Sequence, residues 1–272
     1  MPSTENTIDP QEINEQNPEP EEEKTFGANF LDHLEELRWI ILKSLAGMIV
    51  SIGISVYFID FIMNDILLKP LTKFDPPVHL INLQPFGQIV LYMEVAFFSG
   101  LILGLPWLLY QLWKFVSPAL YKTEIKYVKS IVFFSTFCFF LGVAFAYFVI
   151  IPYSLGFFLS FGSPLIINQI SAEEYMSFLV QVILAAGIMF ELPMVSYFLS
   201  RLGLLTPAFM RHYRRIAYFV VIVVAGVITP PDVVSQLLLF FPVVVLYEIS
   251  IVISSRVQKN KEKKEAENQK NQ

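Results

Sequence analysis

The sequence holds little that could do chemistry. Its one cysteine, Cys138, sits in an apolar run, so no disulfide can close within the chain; such a cysteine reads as a small packing residue. The three histidines, His33, His79 and His212, are scattered. No His-Glu-x-x-His, no Gly-x-Ser-x-Gly and no glycine run ending in Gly-Lys-Ser or Gly-Lys-Thr occurs. Zinc proteases, serine hydrolases and P-loop nucleotide hydrolases are therefore without their motifs. The reading is of a chain that is not an enzyme, with no metal, no cofactor and no nucleic-acid partner.

Charge is scarce as well. Only 16% of the 272 residues are charged, 55% are hydrophobic and the mean hydropathy is +0.57, too apolar for a soluble globule of this length. The charges are unevenly spread. Residues 1–28 hold eight acids and Lys24, a net of −7, so the rest of the chain is +2 although the whole is −5. With almost no large apolar residue, this acidic stretch is expected to be disordered. It has neither the basic start and early apolar run of a secretory signal nor the acid-poor composition of a transit peptide.

Six apolar segments follow, at about 39–59, 88–112, 130–151, 177–200, 215–229 and 233–254. Four reach the roughly 20 residues that a helix needs to cross about 30 Å of hydrocarbon. The fifth leaves only about 14 residues between Arg215 and Pro230, or about 21 Å at ~1.5 Å per residue. The sixth is interrupted by Pro242 and bears Glu248 near its end. Proline fixes φ and stops helices, so segments five and six read as a short hairpin turned by Thr229-Pro230-Pro231-Asp232. The fold class is an all-α integral membrane protein. Six transmembrane helices occupy 29–255, between the acidic tail 1–28 and a polar, basic tail 256–272.

Seventeen of the nineteen Lys and Arg residues fall on one set of flanks, and only Lys69 and Lys73 on the other. Basic loops stay cytoplasmic, which places both termini in the cytoplasm, as an even number of spans requires. The opposite loops, about 60–87 and 152–176, are long, apolar and proline-bearing, and are expected to pack as a cap on the outer face.

Several polar residues interrupt the apolar pattern. A charge well inside a bilayer costs about 2.5–3.5 kcal/mol on insertion scales. Glu191, in the run 178–200, is therefore expected to serve a partner, a pathway or an ion. Pro193 frees the carbonyl of Met189 beside it. With Gln181 and Gln236 taken to lie at similar depth, the set points to a wetted cavity facing inward. The plainer alternative is a protonated acid bonded to a neighbouring hydroxyl. Glu94 falls near the outer end of the second segment, within reach of the interface. Glu36, at the mouth of the first segment, has the plain reading of an acid at a helix N-terminus, worth about 0.3–1 kcal/mol. Glu124, in Tyr121-Lys122-Thr123-Glu124, has that of a solvated loop charge. Glu36 and Glu124 share the basic side, and close together they would form a paired acidic site suited to bidentate guanidinium binding.

The order and spacing of these residues resemble one family. The pieces are His33-Leu34-x-Glu36-Leu37-Arg38; Pro106-x-x-x-Tyr110-Gln111-x-Trp113-x-Phe115-x-x-Pro118-Ala119-Leu120-Tyr121-Lys122-x-Glu124; Gly142-x-Ala144-Phe145-Ala146-Tyr147-Phe148 with Pro152; Phe190-Glu191-x-Pro193; and Thr229-Pro230-Pro231-Asp232-x-x-Ser235-Gln236. Together, over about 29–256, they resemble TatC, the multispanning receptor subunit of the twin-arginine protein translocase. The resemblance implies a concave six-helix bundle with helices five and six short, in the cell inner membrane. It implies a receptor for twin-arginine signal peptides on folded cargo proteins, driven by the proton gradient. TatA-like and TatB-like single-span subunits would be its partners in the lipid bilayer, with self-association in a larger complex. On matching positions Glu36 and Glu124, with Arg38 beside them, would form the signal-peptide site. Glu191 would be the polar group of the concave face, with Thr229 and Gln236 near the docking site of the small subunits. Glu94 departs from the family, where lysine is commoner, and the acidic tail has no family role. Two other classes compete. A secondary transporter using Glu191 as its proton site predicts broken helices in repeat halves, and no repeat is evident. An intramembrane enzyme needs a nucleophile or metal set, and none is present.

Overall fold

In lipid a backbone must satisfy its own N–H and C=O groups, and a helix does so within one segment. The computed structural model describes residues 21–74, 78–116, 128–162, 169–228 and 233–270, and nearly all of them are helical. In chain order they form α1 (Glu21–Tyr57), α2 (Ile59–Phe61), a π-helical turn (Ile62–Leu67), a 3-10 turn (Lys69–Lys73), β1 (Leu80–Ile81), α3 (Gly87–Val116) and α4 (Val128–Phe145). A second π turn (Ala146–Ile150) leads into α5 (Ile151–Ser160). Then come β2 (Ile170–Ser171), α6 (Ala172–Met189), α7 (Leu192–Leu202), α8 (Pro207–His212), α9 (Arg214–Ile228) and α10 (Val233–Lys270).

Five stretches are long and apolar enough to cross a membrane: Glu35–Tyr57, Gly87–Phe115, Lys129–Ser160, Ala172–Leu202 and Val233–Lys263. The protein is a multi-pass membrane protein. The fifth apolar segment becomes α9, whose 15 residues span about 22 Å as a helix, short as expected. The sixth is not short. α10 runs for 38 residues and carries Pro242 inside it. Proline removes one ladder bond, which a helix within a membrane bundle tolerates because neighbours re-satisfy the freed group. The basic segment from 256 onward simply continues the helix. At the other end α1 is described from Glu21 on, so residues 21–28 of the stretch expected to be disordered are helical. Residues 1–20 lie outside the described residues.

Of the two connections expected to cap the outer face, the described part of the first packs against the bundle end away from the Lys/Arg-rich flanks, whereas residues 152–160 of the second continue the third span as α5 and 163–168 lie outside the described residues. Met63, Leu67 and Leu71 are buried. The hydroxyls of Tyr147 and Tyr175 donate to the carbonyls of Ile66 and Leu67 at 2.8 and 2.7 Å. β1 and β2 pair in parallel, Leu80 opposite Ile170, and Gln84 donates to Glu173 at 3.2 Å.

Helices approach closely where a side chain is missing. A Cβ on Gly100 of α3 would lie 2.6 Å from the Ile52 Cα of α1, and one on Gly142 of α4 would lie 2.5 Å from the Ala186 carbonyl oxygen of α6. Small residues at such seams give membrane helices their van der Waals contact. The Trp107 indole closes the α1–α3 seam by donating to the Lys43 carbonyl at 2.9 Å. The α6–α7 stretch is the centre of the bundle, 61% of its apolar window being buried, whereas α1 is peripheral at 11%.

Candidate functional site

Glu191 sits where α6 stops. Pro193 has no N–H for the Met189 carbonyl and its ring clashes there. The helix accordingly ends at Met189 and restarts at Leu192, with Phe190 and Glu191 in the turn between. The backbone N–H groups of Met194 and Val195 both return to the Glu191 carbonyl, at 3.0 and 2.9 Å. The carboxylate is half-buried and its Oε2 accepts from the Ser135 hydroxyl of α4. Its Oε1 is buried with no hydrogen-bond partner among the described residues. The hydroxyl required by the plain reading is thus present, yet it satisfies one oxygen and leaves the other unsatisfied. A buried acceptor without a partner costs about 1–3 kcal/mol.

Gln236 does not join this site. It is the fourth residue of α10, and its amide donates across the hairpin to the Ile222 carbonyl of α9 at 2.9 Å. Glu191 lies twenty residues into the α6–α7 stretch. Gln181 is exposed on α6 and donates to Ser177 at 2.9 Å. The single cavity expected from their supposed equal depth is split among three places, because alternating chain direction puts Gln236 near the cap end and Glu191 beyond mid-span. Glu94 is half-buried on α3 between Leu91 and Val95. Thr229 and the turn 229–232 lie outside the described residues.

Glu36 and Arg38 are exposed in the first turn of the apolar stretch of α1. Beside them, Leu37, Ile40, Ile41, Ser44, Leu108 and Leu112 border an open apolar cavity of about 430 Å³ between α1 and α3. Glu124 lies outside the described residues. The motif at the end of α3 has a packing role: Gln111 and Trp113 are buried, and the Trp113 ring meets Phe198 of α7 edge-on at 5.1 Å.

One cluster escaped the sequence reading. Arg214, the first residue of α9, pairs with Glu248 of α10 at 2.8 and 2.9 Å, and the Tyr218 hydroxyl also donates to that carboxylate. The Tyr247 hydroxyl donates to the Met210 carbonyl at 2.9 Å. Serine pairs fix α10 to the bundle at its start and past its middle, Ser235 to Ser154 at 2.6 Å and Ser200 to Ser254 at 2.7 Å. The signal was Glu248 in an apolar segment 34 residues after an arginine, a separation that no local pattern joins.

The family model for the Sec-independent protein translocase protein (TatC) matches residues 32–242. The TatC protein of Aquifex aeolicus (strain VF5) is 35% identical over 232 residues, covering 85% of this chain and 96% of that protein. TatCy of Bacillus subtilis (strain 168) is 35% identical over 243 residues, or 88% and 93% of the two chains. A crystal structure of the twin arginine translocase receptor TatC superimposes with a TM-score of 0.75 at 34% identity, covering 83% of this chain and 99% of that one.

Proposed function

The chain belongs to the TatC family of Sec-independent protein translocases, and on that premise we propose that it is the receptor that binds twin-arginine signal peptides on folded cargo. The family is a transport component rather than a catalyst. The observation that carries the finer reading is the exposed Glu36 at the Lys/Arg-rich end of α1, and the sequence adds Glu124 between α3 and α4, outside the described residues. Each arginine of a pair presents a planar fork that a carboxylate meets in two parallel hydrogen bonds, and lysine cannot make that contact. Arg38, next to Leu37 of the apolar cavity, flanks the same rim.

In this reading both termini and the basic loops are cytoplasmic, in the cell inner membrane. Glu191, with its unsatisfied oxygen, and the α9–α10 hairpin, with Gln236 and Thr229, take the polar residues of TatA-like and TatB-like single-span subunits. The proton gradient drives transport. The experiment is site-specific crosslinking from position 36 or 124 to a twin-arginine signal peptide in membranes. Crosslinks that vanish when the two arginines become lysines support the receptor reading. Crosslinks of equal yield to both peptides, or none from either position, overturn it.

A further inference from the structure

Between Glu191 and Asp232 the sequence holds four arginines and His212, but no acid and no lysine. Two of the arginines have partners. Arg214 pairs with Glu248, and Arg201 donates to the Tyr197 hydroxyl at 3.2 Å and lies over its ring. Arg211, in α8, and Arg215, at the start of α9, are exposed. Neither makes a hydrogen bond or an ion pair among the described residues.

The same stretch exposes apolar groups. α8 buries Pro207 and Met210 and turns Phe209 outward. α8 and α9 meet at Tyr213, whose backbone departs from the helix (φ −91°, ψ 11°). Its N–H still returns to the Phe209 carbonyl, and its own carbonyl accepts from Ala217. The helical turn therefore carries through the bend, and the Phe209 and Tyr213 rings lie 4.5 Å apart. At about 100° per residue, Arg211 and Arg215 border one side of the outward arc and Phe209 and Tyr213 the other. Ile216 and Phe219 lie between them, 57% and 67% exposed, and from Ile216 on α9 holds no charged residue. Arginine stems cover apolar surface while their heads reach the phosphates, and tyrosine sits at headgroup level. A soluble anion would account for the two arginines but not for the aromatic pair and the apolar face that they frame.

We propose that α8 and the first turn of α9 form a binding site for an anionic phospholipid. Arg211 and Arg215 hold its phosphate in bidentate hydrogen bonds, and its acyl chains run along Ile216, Phe219 and Val223. Charge complementarity selects the lipid. A phosphatidylglycerol head is a net anion, whereas a zwitterionic head brings an ammonium toward the same arginines. The site holds the base of the α9–α10 hairpin in the leaflet on the Lys/Arg-rich side, at the opposite end of the hairpin from Gln236. It does not depend on how the chain recognises cargo.

The test is native mass spectrometry of the full chain in detergent, titrated with phosphatidylglycerol or with phosphatidylcholine. Each arginine beside an anionic lipid is worth about fivefold in affinity. Arg211→Gln with Arg215→Gln is therefore expected to weaken phosphatidylglycerol binding at least about tenfold and to leave phosphatidylcholine binding nearly unchanged. The control is Lys259→Gln with Lys263→Gln, which removes the same charge from exposed positions of α10. Lys259 lies eleven residues beyond Glu248, about 16 Å along the helix. Charges more than about 8 Å away are screened at about 0.15 M salt, so this pair is expected to change binding by less than about twofold. Where the double arginine variant does not fold, each single variant is read for its own loss of about fivefold. Equal losses from the two pairs overturn the site, because a diffuse positive field is then enough. So does wild-type affinity in the arginine variants, and so does binding of phosphatidylcholine by the unaltered chain as tight as that of phosphatidylglycerol.

Discussion

At the scale of single residues, two carboxylates separate by what their surroundings leave undone. The Glu191 carboxylate is satisfied at one oxygen by Ser135 and unsatisfied at the other. Glu191→Gln keeps hydrogen-bonding capacity without charge, and Glu191→Ala removes both. Insertion is expected to survive either change, transport to fall clearly in Ala and only mildly in Gln, read as export of a twin-arginine reporter. Equal transport by both variants at the wild-type rate would make Glu191 structural. Glu36 and Glu35 are both exposed but lie about 100° apart around the helix. A charged hydrogen bond contributes about 1.5–3 kcal/mol, so Glu36→Ala is expected to weaken signal-peptide binding by one to two orders of magnitude at about 1.4 kcal/mol per tenfold. Glu35→Ala should change it little, and equal losses would mean a diffuse acidic patch. The place of Glu191 was legible because an acid in an apolar run is conspicuous. Its partner was not, since Ser135 is 56 residues away and only the Gly142–Ala186 seam brings α4 onto α6.

At the scale of elements, periodicity and proline showed where helices are but not how they end. Run 178–200 read as one segment, yet Pro193 divides it at Phe190–Glu191. Pro242, of the same residue type, leaves α10 unbroken. Pro106 likewise leaves α3 unbroken, so proline in an apolar run does not by itself say where a helix ends. The α9–α10 hairpin is held by the Gln236–Ile222 bond near one end and by Arg214, Tyr218 and Glu248 near the other. α9 alone is too short to match the bilayer, so a neighbouring helix that shares the mismatch is favoured. Replacing Thr229 and Gln236 together by Leu removes polar contacts worth about 0.6–2 kcal/mol each in a membrane, and copurification of single-span subunits is expected to weaken. Unchanged copurification and transport would move the docking surface elsewhere. At the α1–α3 seam, Gly100→Leu forces side-chain atoms into the Ile52 backbone. Overpacking of this kind costs about 1–3 kcal/mol, to be read as a lower unfolding midpoint in detergent.

At the scale of the whole molecule, the uneven distribution of Lys and Arg carries the orientation. A cysteine at position 73 is expected to label only from the side opposite the basic loops, and labelling from their side alone would invert the arrangement. The apolar segments and the short fifth helix were legible from composition and spacing, but the sixth, expected to be short, is in α10 a fifth full-length span. The supposed common depth of Glu191, Gln181 and Gln236 was not legible, because depth depends on chain direction and starting point in each helix, and a one-residue error in a boundary moves a side chain by about 1.5 Å.

The α1–α3 seam also bears on the order of synthesis. α1 packs chiefly on α3, and the two are joined by a connection that precedes every other long helix. The first helix to leave the ribosome therefore needs only the next one to find its place, and the pair is a local hairpin with little loop-closure entropy to overcome. N-terminal units of large proteins form first during translation. A nascent chain arrested near residue 165, long enough to bring all of α3 out of the ribosome, is expected to crosslink already between cysteines at 47 and 107, before α6 exists to make a core. Absence of that crosslink until the full chain is released would mean that the peripheral helix is recruited last.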